Sequence, residues 1–227
     1  MPTPEDLYNL LLLAAPLVLS LTIHEYAHAR TALAFGDPTA KHLGRCTLNP
    51  LAHLDPIGTI ALFVVHFGWA KPVPVNPHNL DPPRLGDIAV SLAGPLSNLA
   101  LAILSGLLLR AWFAYYAEID LPTRIADALW VILYYTMSIN LVLCLFNLIP
   151  LFPLDGHHIL RESLPKTDQR VRFMAWQMRY GRILLLALIF GPRLASFLLR
   201  RPVVGPIGAM FRFVIEPFTQ WMLGMPA

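Results

Sequence analysis

Long apolar segments are the feature that most restricts how this 227-residue chain can fold. Hydrophobic residues make up 56% of it and charged residues only 14%, which is unusual for a soluble domain. A helix needs about 20 apolar residues to cross a bilayer. Five segments approach that length: residues 7–33, 88–111, 128–150, 183–199 and 203–222. We therefore predict an all-α polytopic membrane protein with about five transmembrane helices.

The segment between the first two predicted spans, residues 36–87, is rich in Pro, Gly, Asn and His. Its apolar stretch "PIGTIALFVVHFGW" is too short to cross and is typical of a re-entrant or interfacial segment. Residues 41–49 and 71–77 could form short β-strands whose edges pair with an extended peptide. Prolines at 72, 74 and 77 limit the second edge, because each lacks an N–H donor.

Basic residues predict the orientation. Acidic residues precede the first predicted span, whereas Lys and Arg follow the first span and the third. Because cytoplasmic connections carry the excess of Lys and Arg, we predict a multi-pass cell-membrane protein with both of these segments in the cytoplasm. The net charge of +3 is too small and too dispersed to indicate nucleic-acid binding. Cys46 and Cys144 lack a CxxC spacing and are predicted to be free thiols.

An HExxH motif, "HEYAH", lies in the cytoplasmic part of the first predicted span. Residues four apart share one helix face, so His24 and His28 can reach one metal ion while Glu25 acts on a bound water. Ionisable groups at membrane depth usually mark a functional site. The structural alternative is a pair of buried histidines that are hydrogen-bonded to neighbouring helices.

A catalytic zinc site takes three protein ligands, so HExxH needs a third from elsewhere. Asp155, in "NLIPLFPLDGHH", follows Pro150 and Pro153, which break the helix and let the chain turn a carboxylate inward. The alternative is that Asp155 only forms a turn with Gly156. The predicted topology favours the ligand, because it places Asp155 on the same side of the membrane as HExxH.

Three motifs in consistent order carry a family resemblance. "HEYAH" in an apolar helix, "LAGPLSN" opening a later helix and "NLIPLFPLDG" closing another resemble the site-2 protease family of intramembrane zinc metalloproteases. "LNPLAHLDPIGT" and "FGWAKPVPVNP" resemble its small prokaryotic members, which lack an inserted PDZ domain. The resemblance covers about residues 8–160. No internal repeat or low-complexity tract interrupts the chain, so we predict one membrane-embedded metalloprotease domain over residues 1–227, with its core at 8–160 and C-terminal helices at 181–227.

The resemblance implies a mechanism as well. His24, His28 and Asp155 would hold Zn²⁺, and Glu25 would act as general base and then protonate the leaving amine. Asn98 and Asn147 are candidates for donating to the oxyanion or binding the substrate. For both asparagines a structural role, in helix–helix hydrogen bonding or as a polar lining, is the alternative.

The implied reaction is hydrolysis of peptide bonds in or near transmembrane segments. The expected substrate is a single-pass membrane protein or a remnant signal peptide in the lipid bilayer. A metal or proton transporter is one rival, since intramembrane His and Asp suit it equally. A catalytically idle protein that binds clients is the other. The sequence leaves open the oligomeric state and the roles of His53, His157 and His158.

Overall fold

The structure is a computed structural model that describes residues 4–65, 68–116 and 121–224, with only the backbone for residues 4–7, 9–11 and 62–65. The described residues are predominantly helical and contain no β-sheet. The helices are α1 (Pro4–Ala34), α2 (Thr39–His42), α3 (Pro56–Val65), α4 (Pro83–Tyr115), α5 (Thr123–Asn147), α6 (Asp155–Ser163), α7 (Asp168–Leu199), α8 (Pro206–Met210) and α9 (Glu216–Leu223). A π-helical turn, Phe211–Ile215, joins α8 to α9. Single 3₁₀ turns occur at Pro50–Ala52 and Pro77–Asn79.

Helices α1, α4 and α5 pack against one another, and α6 packs on α4. Gly106 lets α9 approach α4 closely, because a β-carbon there would lie 2.6 Å from Met222 Cγ. The apolar core lies between α4, α5 and the C-terminal helix: Ala102, Leu109, Met137, Leu141, Ile215 and Met222. Cys144 is buried in α5, and both it and Cys46 are free thiols, as predicted.

Among the described residues, three helices are long and apolar enough to cross a membrane: α4, α5 and α7. The ends of these helices differ from the ends of the apolar segments that predicted the spans. Helix α5 ends at Asn147 rather than at 150. Helix α7 begins at Asp168 rather than at 183, because Thr167 caps its N-terminus and the helix starts with polar residues that an apolar window excludes.

The residues that precede and follow α3, between α1 and α4, lie beside each other. Helix α3 has 10 residues and is therefore about 15 Å long, half the thickness of a bilayer core. A β-bridge between Leu54 and Ala70 joins the residues that flank α3. The N–H of Lys71 also donates to the carbonyl of His53 at 2.8 Å.

The short β-strands predicted within residues 41–49 and 71–77 are absent from the described structure, whose secondary structure there is helical or irregular. Side chains hold the second stretch instead of a neighbouring strand. Arg45 Nη2 donates to the Lys71 carbonyl at 2.5 Å, and the Asn76 N–H donates to Asp37 at 2.7 Å. The prolines remove the alternate donors that a β-ladder would need.

Candidate metal centre

Helix α1 places two imidazoles one turn apart on its face toward α4. The Nε2 atoms of His24 and His28 are 3.0 Å apart, and both residues are at least nine-tenths buried. This arrangement follows from the helical repeat, which brings residues i and i+4 to the same face. The predicted pairing of the two histidines is therefore present in the fold.

Helix α4 determines which nitrogen of each imidazole carries the proton. His24 Nδ1 lies 2.6 Å from Asn98 Oδ1, and His28 Nδ1 lies 2.7 Å from the carbonyl of Val90. Carbonyl oxygens only accept, so each Nδ1 must donate. In the neutral rings both Nε2 atoms then present lone pairs, which is the tautomer that can bind a metal.

Asp155, the first residue of α6, completes the cluster. Its Oδ2 lies 3.3 Å from His24 Nε2 and 3.5 Å from His28 Nε2. Oδ2 is buried and has no hydrogen-bond donor, as expected if both Nε2 atoms are unprotonated. Gly156 permits this position, since a β-carbon there would lie 2.5 Å from the carbonyl oxygen of Ile149.

These three atoms fit a divalent cation. Two imidazole nitrogens and one carboxylate oxygen lie within 4.8 Å of one another. An anionic oxygen without a donor beside two lone pairs is electrostatically unfavourable unless a cation or a proton lies between them. Two nitrogens and one oxygen match the ligand set of catalytic zinc sites, which leave the fourth position open.

Gly94 of "LAGPLSN" provides the room for the imidazoles. A β-carbon at this position would collide with the ring of His28, and it would lie 2.5 Å from His24 Cε1 and 2.7 Å from His24 Nε2. The backbone of α4 therefore approaches the cluster more closely than any side chain would allow. Gly94 acts through packing rather than through direct chemistry.

Glu25 lies beside the cluster and contacts the extended segment 71–76. Its Oε2 accepts the backbone N–H of Val73 at 2.8 Å, and the residue is only 9% exposed. One carboxylate oxygen is thus fixed by the backbone. The sequence motif predicted Glu25 but gave no indication of Val73.

A polar chain within the bundle connects to His24. Asn98 donates from Nδ2 to Asn140 Oδ1 at 2.7 Å while its Oδ1 accepts from His24. Asn140 donates in turn to Ser20 Oγ and to the Thr136 carbonyl, both at 2.7 Å. Asn140 and Ser20 were missed in the sequence, although polar residues inside apolar spans are a recognised signal.

These contacts bear on the two asparagines predicted to donate to an oxyanion. Asn98 is fully buried and both ends of its amide are engaged, so its geometry supports orientation of His24 rather than a free donor. Asn147, the last residue of α5, donates from Nδ2 to the Leu143 carbonyl at 3.0 Å. Its amide has a second N–H, so the oxyanion role of Asn147 stays a prediction.

The loop before Asp155 is held by α7. Gln177 is 2% exposed, and its Oε1 accepts the Phe152 N–H at 3.1 Å and His157 Nδ1–H at 2.9 Å. Its Nε2 donates to the Pro150 carbonyl at 3.2 Å. One side chain thus holds the middle of the loop at two points and also holds the first turn of α6. Sequence patterns gave no signal for this residue.

Two of the histidines whose roles the sequence left open, His53 and His158, have partners away from the three-ligand cluster. His53 is buried and bonds through Nε2 to the Thr47 carbonyl at 2.8 Å, within its own loop. Asp55 accepts the Gly58 N–H at the start of α3. His158 Nδ1 lies 3.8 Å from a carboxylate oxygen of Asp87, on α4.

Comparisons with known proteins agree with these features. The model of peptidase family M50 matches residues 116–188, which include Asp155. A Bacillus subtilis protein named "Putative zinc metalloprotease YwhC" is 45% identical over 187 residues, covering 82% of this chain and 83% of its own length. No solved structure matches the chain.

Two further relatives are more distant. A Mycobacterium tuberculosis protein named "Putative zinc metalloprotease Rip2" is 32% identical over an alignment that covers 78% of this chain and 66% of its own length. "Zinc metalloprotease MJ0392" of Methanocaldococcus jannaschii is 30% identical, covering 77% of this chain and 41% of its own length. The chain therefore belongs to peptidase family M50, the site-2 protease family, and is a zinc metalloprotease.

Proposed function

We propose that this metalloprotease cleaves peptide bonds in or near transmembrane segments of membrane proteins. The observation that carries the proposal is the cluster of His24, His28 and Asp155, whose ligand atoms lie within 4.8 Å of one another beside Glu25. The ligands lie on α1 and at the start of α6, and both imidazoles bond to α4, which is long and apolar enough to span a membrane. The site thus combines hydrolytic residues with a bilayer setting.

In this proposal His24, His28 and Asp155 would hold Zn²⁺ with two imidazole nitrogens and one carboxylate oxygen. When bound, zinc would supply a water molecule with a pKa of about 7 and polarise a carbonyl. Glu25 accepts the proton of the attacking water and delivers it to the leaving amine. The Val73 N–H holds Glu25 Oε2, which leaves Oε1 as the oxygen that exchanges the proton.

Asn147 is the proposed donor to the oxyanion. It ends α5, and only seven residues separate it from Asp155 in the chain. An amide can donate there without bringing a net charge into the membrane. Its bond to the Leu143 carbonyl uses one of its two N–H groups and fixes the side chain.

The proposed arrangement in the membrane has about five spans and a re-entrant segment. Helices α4, α5 and α7 supply three spans, and α1 and the C-terminal helices are proposed as the others. The segment that contains α3 is short, and the residues at its two ends are hydrogen-bonded to each other. Both features support a segment that enters the membrane and returns to the same side. The distribution of Lys and Arg supports the proposal of a multi-pass cell-membrane protein whose active site faces the cytoplasm.

A single-pass membrane protein or a remnant signal peptide is the proposed substrate. Its scissile helix must unwind, and the extended backbone then needs hydrogen-bond partners. Residues 71–76 are extended and reach Glu25 through Val73. In the described part of the chain no hydrogen bond engages the N–H of Val75, so this residue can pair with a substrate strand.

The chain is proposed to be one domain over residues 1–227, because α7 and α9 contribute to the same structure as the motif-bearing core. A metal or proton transporter is a weaker alternative. Transport sites usually draw ligands from several discontinuous helices, whereas the described residues contain one three-ligand group beside a glutamate.

The test is cleavage in proteoliposomes. Single-pass reporters, some built on signal peptides and some on other single spans, are incubated with wild-type protein and with the Glu25→Gln variant. We expect cleavage within or near the span by the wild type, none by Glu25→Gln, and loss of cleavage on chelation with recovery on adding zinc. Equal cleavage by Glu25→Gln would contradict the mechanism, and zinc flux without any cleavage would favour a transporter.

A further inference from the structure

We infer that Asn140, on α5, is a positioning residue that fixes the protonation of His24 through Asn98. Asn140 and Asn98 together are called the amide relay below. The inference rests on the proposed role of His24 as a zinc ligand. It assigns to α5 a part in holding the metal, although α5 contributes no ligand of its own to the cluster.

The direction of every hydrogen bond in the amide relay follows from one backbone group. The Thr136 carbonyl can only accept, so Asn140 must turn its Nδ2 toward it, at 2.7 Å. Asn140 Oδ1 then faces Asn98 and accepts from Nδ2 at 2.7 Å. Asn98 Oδ1 is left to face His24 Nδ1 at 2.6 Å, so that nitrogen must carry the proton.

Burial prevents water from replacing a member of the relay. Asn98, Asn140 and Ser20 are each 0% exposed. Ser20 Oγ accepts a second bond from Asn140 Nδ2 at 2.7 Å and donates to the Pro16 carbonyl at 2.6 Å, so a second backbone carbonyl enforces the same orientation. Rotating a buried amide whose hydrogen bonds are all made costs free energy, because those bonds are lost and no water replaces them.

Loss of the acceptor on Asn140 would release this constraint. Without it, Asn98 Nδ2 keeps only a 3.5 Å contact to the Ser20 carbonyl, and the amide can rotate. A rotated Asn98 presents N–H groups to His24 Nδ1, which favours the ring with its proton on Nε2. That ring cannot bind a metal through Nε2, so zinc affinity must fall.

The experiment measures the zinc dissociation constant of the full chain in detergent, by competition with a chelating dye, together with the melting midpoint. Asn140→Leu removes the acceptor, whereas Asn140→Asp keeps it in either protonation state. We expect a 10- to 100-fold weaker constant for Asn140→Leu, as found for partners of metal-ligating histidines, and a constant within about threefold of wild type for Asn140→Asp. Ser138→Ala is the matched control, because Ser138 lies buried on the same helix with no hydrogen-bond partner for its Oγ.

A double variant separates the relay from a purely structural role. In Asn98→Asp alone, a protonated carboxyl donates its O–H to Asn140 Oδ1, as Nδ2 does in wild type, and its other oxygen still accepts from His24. When Asn140→Leu is added, no acceptor faces the carboxyl group, and an ionised carboxylate offers an accepting oxygen to His24 whichever way it turns. We therefore expect Asn98→Asp combined with Asn140→Leu to recover the affinity lost in Asn140→Leu alone. Asn98→Asp alone should bind zinc at least as tightly as wild type, and this arm does not depend on folding of the leucine variant.

Three results would overturn the inference: wild-type affinity in Asn140→Leu, equal losses in Asn140→Leu and Asn140→Asp, or weakened binding in Asn98→Asp alone. His24→Ala distinguishes this failure from failure of the proposed function. If His24→Ala loses zinc while Asn140→Leu keeps it, only the relay is wrong. If His24→Ala keeps wild-type affinity, the proposed metal site itself is wrong.

Discussion

The two halves of the candidate metal site are held in different ways. The histidine half, His24 and His28, lies in the middle of a packed helix, and each ring donates directly to an acceptor on α4. The aspartate half, Asp155, follows a loop, and its Oδ2 has no hydrogen-bond donor. Its position depends on Gly156 and on Gln177 from α7. The histidines are therefore oriented before a metal arrives, whereas the carboxylate is positioned through its backbone.

This difference suggests how the two halves respond to change. The histidine half depends on close helix packing and on buried amides, so its disruption should be severe and all-or-none. The aspartate half depends on one side chain that holds a loop, so its disruption should be graded.

Gly94→Ala should damage the histidine half most. The added β-carbon would collide with the His28 ring and lie 2.5 Å from His24 Cε1, so α4 and α1 must separate or the rings must turn. We expect zinc binding to be lost at micromolar zinc. Gly191→Ala is the control, since a β-carbon at that helical position of α7 meets no atom within 4 Å. Zinc content equal to that of the control would contradict this account of α4.

Asn147→Leu removes the proposed oxyanion donor, which lies near Asp155 in the chain, without altering a metal ligand. Removing one oxyanion donor costs about 100- to 1000-fold in kcat in other proteases. We expect a loss of that order in reporter cleavage, with zinc content and melting midpoint close to wild type. If kcat changes by less than threefold, Asn147 serves only its helix through the Leu143 carbonyl.

Gln177→Leu should weaken the aspartate half in a graded way. The substitution leaves the Phe152 N–H and the Pro150 carbonyl without their partner and loosens the loop. We expect about a tenfold weaker zinc dissociation constant, or about 1.4 kcal/mol, measured by dye competition. The control is Gln169→Leu, an exposed residue on the same helix. Equal affinities for the two variants would show that α7 does not support Asp155.

Asp37 should make the stability of the fold depend on pH in the acid range. Its replacement should leave both halves of the metal site intact at neutral pH. Burial would raise its pKa, but hydrogen bonds from Thr39, Asn79 and Asn76 outweigh burial and hold the pKa below its ordinary value. The resulting stabilisation is present above the unfolded pKa of about 3.9 and is lost as pH falls through the folded value. We expect the melting midpoint of wild type to fall more steeply below about pH 4 than that of Asp37→Asn. Parallel curves would contradict this.

The sequence predicted the parts of the site that obey a local repeat. HExxH predicts two histidines on one helix face whatever the tertiary fold, and α1 shows them paired. Asp155 was identified from its prolines, from topology and from family resemblance. The apolar segments predicted α4 and α5, although a window of apolar residues could not find the polar start of α7 at Asp168.

What the sequence did not predict depends on contacts between distant segments. Gln177 reaches Phe152 across 25 residues, and Asn140 reaches Ser20 across 120. Neither pair has a spacing rule, because tertiary packing alone brings them together. The β-strands predicted around residues 41–49 and 71–77 were wrong for a similar reason: in the described chain, side chains of Arg45 and Asp37, rather than a neighbouring strand, bind the Lys71 carbonyl and the Asn76 N–H. The N–H of Val75 lies outside these contacts.

The zinc content of detergent-purified protein shows whether His24, His28 and Asp155 hold a metal ion. Wild type is measured beside Glu25→Gln and Asp155→Ala, with folding checked by melting. The account predicts about one zinc per chain in wild type and in Glu25→Gln, and a clear reduction in Asp155→Ala, because three ligands hold the ion and Glu25 does not. Folded wild type without zinc, or Asp155→Ala with the full wild-type content, would contradict the three-ligand site.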